Sequence, residues 1–429
     1  MNILFAMALF CIQDAGNLSK AGKEVTADLL QGYVTELAGD AYEGRAAGFP
    51  GSDRAADYIR KEFQSFGLRP GAKEGYFQPF SFKRGKKEYK TQNCLALLEG
   101  SDPVLKKELV VIGGHYDHVG MSSMTGVRGQ GRKNLQPDDK IWNGADDNAS
   151  GTSCVLSIAK AFSKAKLRPK RSVLFALWGA EEAGLLGSKH WCSNPTWDIE
   201  KVVFNLNLDM VGRNPDRPVD LEGLRCSSGD AVYDLASEAC KAEDLAYTPY
   251  DYQNEAMFRS DGASFLRQSI PAIMFFSSWH ADYHNNGDHA EKLAYPRMAK
   301  LARSALRILY GVANFNTAPT FNPETPLRVR YRSFEFGYDL LIGGERNNID
   351  LPSGQAALRI TSLVKGGVTE QAGLKVGDVV VGFNGKPFED RNIGESVRGA
   401  TLRVRPNRDY DLEILREGKP LVLKISWSK

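Results

Sequence analysis

The chain has 429 residues, 42% hydrophobic and 25% charged, with a formal net charge of +3. That is ordinary globular composition, long enough for one large core and a second domain. So slight a charge argues against nucleic acid or an anionic membrane as partner, and short basic runs such as KRGKKEYK (83–90) and SKAKLRPKR (163–171) read as solvated faces.

The first segment, MNILFAMALFCIQDAG (1–16), has an apolar run of signal-peptide length with no Lys or Arg before it. It is far short of the ~20 apolar residues that a membrane span needs. It reads as an export signal, which would place the protein in a periplasm or outside the cell. A buried first strand or helix is the structural alternative. SDRAADYIRKEFQSFGL (52–68) follows, with apolar residues at Ala55, Ala56, Ile59, Phe63 and Phe66. That is helical spacing, stopped at Gly67.

From about 92 to 310 the pattern is strand, loop, helix, repeated. LVVIGG (109–114), SVLFALW (172–178), VVFNLNLDM (202–210) and PAIMFFSS (271–278) are continuous apolar runs. Strands buried on both faces look like this. The expected fold is therefore α/β: a mixed, largely parallel central sheet covered by helices on both faces. SGTSCVLSIAKAF (150–162) predicts one covering helix, with Ser150 as its N-cap. The six cysteines, at 11, 94, 154, 192, 226 and 240, show no metal-binding spacing. Cys154 is expected to be a buried thiol, and pairing of Cys226 with Cys240 stays open. ANFNTAPTFNPETPL (313–327) breaks the periodicity and reads as a linker. Residues 328–429 read as a small β-rich domain.

The polar residues fall where the strands end. LVVIGG runs into His115, Tyr116, Asp117 and His118; SVLFALW into Gly179, Ala180, Glu181 and Glu182; VVFNLNL into Asp209; PAIMFFSS into Trp279 and His280, then Asp282, Tyr283 and His284. In open α/β sheets ligands sit outside the carboxyl ends of the strands. Four strand ends and the loop NGADDNASG (143–151), with its adjacent Asp146 and Asp147, can converge on one crevice. So many carboxylates repel one another or take up protons. Divalent cations relieve this, and mixed histidine and carboxylate ligands suit zinc. Two zincs sharing one carboxylate fit the inventory better than one. Asp147 is the expected bridge, and Asp146 the residue that shapes the turn.

These residues resemble a known family. GGHYDHVG, NGADDNASG, WGAEEAGLLGS, NLDMVG, RSDGASFLRQSIPAIMFF and DYHNNGD, in this order, with EGRAAGFPGSDRAADYI (43–59) before them, look like the M28 zinc aminopeptidases. The resemblance implies a peptidase domain over 17–312. It implies that His115 and Asp209 bind a first zinc, Glu182 and His284 a second, and that Asp147 bridges them. It implies that Asp117 hydrogen-bonds the His115 imidazole and that Glu181 is the general base. Zinc would lower the pKa of its bound water towards about 7 and polarise the scissile carbonyl, giving removal of N-terminal residues from peptides with a free N-terminus. His280 and His289 rival His284, which is preferred for its Tyr-His-x-x-x-Asp context through Asp288. No oxyanion-assisting tyrosine is assigned; Tyr252 is merely near. A carboxypeptidase or dipeptidase, drawing on Arg213 or Arg259, and a one-zinc glutaminyl cyclase are the enzyme alternatives. An idle binding module is the alternative of another class.

RITSLVKGGVTEQAGLKVGDVVVGFNGKPF (359–388) resembles a PDZ domain, most recognisably over 372–385. Such domains take the C-terminus of a peptide by strand addition. FEFGYDL (334–340) is the candidate carboxylate loop, and packing on the peptidase is the structural alternative.

Overall fold

The computed structural model describes residues 16–124, 138–252, 255–325, 336–342, 355–389 and 409–426. The apolar stretch 1–15, most of the polar loop 121–142 and the start of FEFGYDL lie outside the described residues. The chain divides into two compact units between residues 328 and 329.

Among the described residues the first unit is built on nine strands: β1 (Arg69–Pro70), β2 (Phe77–Arg84), β3 (Lys87–Leu98), β4 (Leu109–His115), β5 (Ser172–Trp178), β6 (Val202–Leu208), β7 (Val219–Glu222), β8 (Tyr247–Pro249) and β9 (Ala272–Phe276). They form one sheet in the order β1-β3-β5-β4-β6-β9-β7-β8, with β2 paired to β3. Its centre, β5-β4-β6-β9, is parallel. The flanking pairs β3–β5 and β7–β9 are antiparallel. Every residue of β4, β5 and β9 is buried. That is what the continuous apolar runs predict.

The alternation along each strand divides two cores. Val110, Ile112, Phe175 and Leu206 face the larger one, with helices α1 (Ala27–Leu37), α2 (Pro50–Ser65), α3 (Gly151–Lys164), α5 (Ala231–Ala242) and α6 (Tyr295–Asn314). Leu109, Val111, Leu174 and Trp178 face the other, with α4 (Leu186–Ser193) and the short helix Gly262–Leu266. Helix α2 buries Ala55, Ala56, Ile59 and Phe63, the stripe its spacing predicts. Because the four central strands run the same way, their carboxyl ends share one edge. The polar residues of the sequence gather there.

One expectation needs correction, and two other readings are refined. Ser150 does not cap α3: it is already in helical conformation, and its Oγ donates to the Asp146 carbonyl (2.7 Å). Asn148 Oδ1 accepts the Gly151 N–H instead (2.8 Å), because the wide turn Ala145–Ser150 carries the coil back by two residues. Cys226 and Cys240 are separate, buried thiols. The expected linker is not all free chain, since α6 runs to Asn314 and the Asn322 N–H donates to the Cys226 carbonyl (2.9 Å).

The second unit holds six described strands in one sheet: β10 (Phe336–Ile342), β11 (Gln355–Leu363), β12 (Val379–Phe383), β13 (Lys386–Glu389), β14 (Asp409–Arg416) and β15 (Lys419–Ser426). All its pairings are antiparallel. A core of Leu358, Ile360, Val380, Phe383, Phe388 and Leu412 lies against it. β14 and β15 pair along their whole length as a hairpin.

Candidate metal centre

One buried cation frames the site. Arg45 is 1% exposed. Its Nε donates to the Tyr116 carbonyl (2.8 Å), its Nη1 to the carbonyls of Leu37 (2.6 Å) and Asn143 (2.7 Å), and its Nη2 to Gly144 (2.8 Å). All four acceptors are neutral. Burial pulls the guanidinium down to about 10, and the charges of Asp147, Asp288, Asp117 and Glu182 oppose that fall. Arg45 thus ties the loop after β4 to the NGADD loop. Asp288 holds the second loop from the other side, its Oδ2 accepting the N–H groups of Asp146 (2.9 Å) and Asp147 (3.1 Å). Gly144 sits at φ +58°, and a Cβ there would meet the His118 ring at 2.4 Å. Only glycine leaves that room.

Two sets of ligand atoms share Asp147. On one side, His115 Nε2 lies 3.2 Å from Asp147 Oδ1 and 3.4 Å from Asp209 Oδ1. On the other, His284 Nε2 lies 3.0 Å from Asp147 Oδ2 and 3.1 Å from Glu182 Oε1. His118 Nδ1 stands at 3.1 Å from that same Glu182 oxygen. Glu181 Oε2 is 3.9 Å from His115 Nε2, beside the first set without joining it. His115 Nδ1 faces the Asp117 carbonyl (3.1 Å), which can only accept. That leaves Nε2 as the ring's metal-facing atom.

The electrostatics show a centre that asks for positive charge. Burial alone would raise the Asp147 carboxyl, but the His115 and His284 imidazoles hold it well below the usual carboxylate range. Glu182 is likewise lowered to about 2 against the effect of burial, chiefly by His284. Burial would depress His284, yet Glu182 and Asp147 lift it to about 10. Positive charge on the imidazoles thus favours the ionised carboxylates around them. Divalent cations would take the place of that charge and release the imidazole protons. Buried imidazole and carboxylate within ligand distance of one another is the donor set that zinc takes, so the residues present fit it.

The rival histidines are occupied elsewhere. His280 faces Asp146 Oδ2 (3.3 Å) and His289 faces Asp139 (3.1 Å). Asp146 does shape the turn, accepting the Gly212 N–H (2.6 Å). The Asp117 carboxylate differs from expectation. It is 3.8 Å from His115 Nδ1 and instead accepts the N–H groups of Glu181 (2.9 Å) and Glu182 (3.4 Å). Backbone donors win because they are fixed and close. Arg213 is bound to Asp282 (2.7 Å) and Asp288 (3.6 Å). Sequence reasoning missed His118 and Tyr283. The first had a signal, a second histidine three residues after His115. The second stacks on His284 at 3.9 Å between ring centres, and nothing in the sequence announces that.

A cleft of about 320 Å³ opens over His115, Asp147, Glu181, Asp209 and His284. Its walls include Met210, Met274, Phe276, Trp279 and Tyr283, with Arg259 among them, 5.0 Å over the Trp279 ring.

Comparison with known proteins agrees with this geometry. Residues 93–309 match the sequence model of Peptidase family M28. The chain is 29% identical over 265 residues to leupeptin-inactivating enzyme 1 of Streptomyces exfoliatus, covering 60% of this chain and 50% of that protein. It is 26% identical over 255 residues to the probable leucine aminopeptidase 2 of Arthroderma benhamiae, covering 54% and 42%. The chain thus spans half or less of the length of these curated relatives. The aminopeptidase of Aneurinibacillus sp. strain AM-1 has a similar fold, with TM-score 0.54 and 18% identity over 72% of this chain and all of that one.

Arg45→Met should cost more than ~3 kcal/mol, because four buried carbonyls lose their donor. Arg45→Lys should recover only part of this, since a point charge cannot reach all four. Denaturant unfolding of the metal-free protein reads both; a methionine variant as stable as the parent would refute the brace.

Proposed function

We propose that this chain, which belongs to peptidase family M28, is a zinc-dependent aminopeptidase acting on peptides with a free N-terminus. The observation that carries the reading is the convergence of His115, Asp147, Glu182, Asp209 and His284 beneath a cleft with one apolar wall, with Glu181 beside them. The names of the curated relatives support it. His115 and Asp209 would hold one zinc, Glu182 and His284 the other, and Asp147 would bridge.

When bound, zinc polarises the scissile carbonyl and makes water a nucleophile near neutral pH. The chain's own residues do the rest. Glu181 is pushed well above the usual carboxylate range by burial, against the pull of His115 and with the charges of Glu182, Asp261 and Asp209 adding to the rise. A carboxylate so raised is suited to take the proton of the attacking water and hand it to the leaving amine. Met210, Met274, Phe276 and Trp279 offer the N-terminal side chain an apolar wall.

The competing carboxypeptidase reading needs a cation for the substrate's carboxylate. Arg213 is held by Asp282 and Asp288, but Arg259 lies in the cleft wall. The test must therefore read both ends of a substrate. One peptide is offered to the zinc-loaded protein in three forms: free, N-acetylated and C-amidated. Stepwise loss from the N-terminus, blocked by acetylation alone, is expected. Glu181→Gln should lower kcat by ~10²–10⁴ with its zinc retained. Loss from the C-terminus, blocked by amidation, would overturn the reading.

Two finer readings are also ours. The second unit takes the C-terminus of a peptide by strand addition, supported by its antiparallel sheet and the PDZ-like segment 372–385. Deleting 328–429 should then weaken turnover of long peptides and spare short ones; equal turnover of both would sink this. The protein is exported. Among the described residues no helix is long and apolar enough to cross a membrane. Mature protein recovered from the producing cell should begin near residue 17 by mass spectrometry, and an intact residue 1 would count against export.

A further inference from the structure

We propose that the two cation sites are unequal, and that His118 is a fourth protein ligand that closes one of them. The inference rests on the reading of this centre as a zinc site.

Two imidazoles approach the same two carboxylate oxygens. The His118 side chain is wholly buried, and its Nδ1 lies 3.1 Å from Glu182 Oε1 and 3.8 Å from Asp147 Oδ2. His284 Nε2 approaches the same two oxygens, at 3.1 and 3.0 Å. A tetrahedral zinc with bonds of about 2.0–2.1 Å separates its ligand atoms by about 3.3 Å. Four of the six edges of such a tetrahedron are thus present at 3.0, 3.1, 3.1 and 3.8 Å. The ligand atoms of His118, Asp147 and Glu182 lie within 4.8 Å of one another. A small closure around one ion completes the set.

Among the described residues the other site has no fourth protein ligand. His115 Nε2, Asp147 Oδ1 and Asp209 Oδ1 form it, at 3.2 and 3.4 Å from the imidazole nitrogen, and its remaining side faces Glu181. Structural zinc sites are closed by four protein ligands, while catalytic ones keep a position for water or substrate. By that rule the His118 site is an anchor, and the His115 site, beside the base, is where hydrolysis takes place.

The imidazole is held for this task. Its ring lies against Gly144, where any Cβ would come within 2.4 Å. The His118 N–H donates to the Arg45 carbonyl (3.2 Å), and the ring meets His284 edge-on at 5.7 Å. Nε2 is buried with no partner among the described residues. The tautomer is therefore set on the Nδ1 side alone, either by a cation or by a proton donated to Glu182. The second case would make His118 a positioning residue, and the experiment separates the two.

The metal-free, full-length protein is titrated with zinc against a chromophoric chelator, and X-ray absorption is recorded at one equivalent. Two binding steps are expected. The first equivalent should show two imidazoles, from His118 and His284. His118→Ala should weaken the tight step by more than the ~10–100-fold that loss of a supporting hydrogen-bond partner costs, and leave the weak step within a few-fold. Asp209→Asn should do the reverse. One imidazole at one equivalent in the unaltered protein, or a tight step that His118→Ala moves by less than ~10-fold, overturns the proposal. The absorption measurement needs no variant, so misfolding of His118→Ala does not protect the idea. No peptide enters, so failure here is distinct from failure of the aminopeptidase reading.

Discussion

The site depends on one carboxylate whose two oxygens face opposite ways. Asp147 Oδ1 looks toward His115 and Oδ2 toward His284. Around it, Glu181, Glu182 and Asp209 come to the same sheet edge, all buried or nearly so. Carboxylates so close and so dry cannot all stay ionised without compensating positive charge. The neighbouring imidazoles supply part of it. Divalent cations would do so more fully, because each carries two charges and accepts several ligands at once. The sheet supplies the place: four parallel strands end together, and each brings polar groups to that edge.

Holding Asp147 in this attitude takes structure from three sides. Asp288 accepts its N–H, Arg45 clamps the carbonyls of Asn143 and Gly144, and Asn148 takes the Gly151 N–H at the start of α3. None of these groups reaches the cleft. They convert a run of small residues, which would otherwise be a mobile turn, into a fixed platform. The pairing of two aspartates in NGADDNASG is then a division of labour. Asp146 binds the Gly212 N–H and closes the loop against the strand end, and Asp147 faces the imidazoles of His115 and His284.

This division explains what was legible in the sequence and what was not. Burial on both faces leaves a continuous apolar run, so β4, β5, β6 and β9 could be read directly, and the polar residues just beyond them marked one edge. His115, Asp147, Glu182, Asp209 and His284 meet there, as those positions and the family resemblance imply. Residues whose role depends on distant partners left no such trace. The four acceptors of Arg45 lie between 8 and 99 residues away along the chain. Asn148 looked like part of a turn, and Ser150 looked like the better cap. His118 was visible as a histidine in HYDH, but only the fold shows that its Nδ1 turns toward Glu182 and not toward His115. The Asp117 carboxylate was misdirected for a related reason: spacing along a strand says which face a side chain leaves, not which donor it meets first.

The glutamate pair carries the last step of the argument. Glu181 and Glu182 are neighbours in sequence with the same side chain, yet their environments drive them apart. Both N–H groups point at the Asp117 carboxylate, which fixes the backbone and sends the two side chains to different partners. Glu182 meets the imidazoles of His284 and His118 and is held at about 2 against burial, so it remains an anion, as a ligand must. Glu181 is buried too, and burial together with the charges of Glu182, Asp261 and Asp209 outweighs the pull of His115, so its proton affinity rises. A pair of like groups separated in this way divides naturally into a ligand and a base. The anchor site lies on the Glu182 side and the open site on the Glu181 side. The proposed asymmetry of the two sites and the asymmetry of the carboxylates thus have one origin: the turn that Asp117 ties at the end of β5.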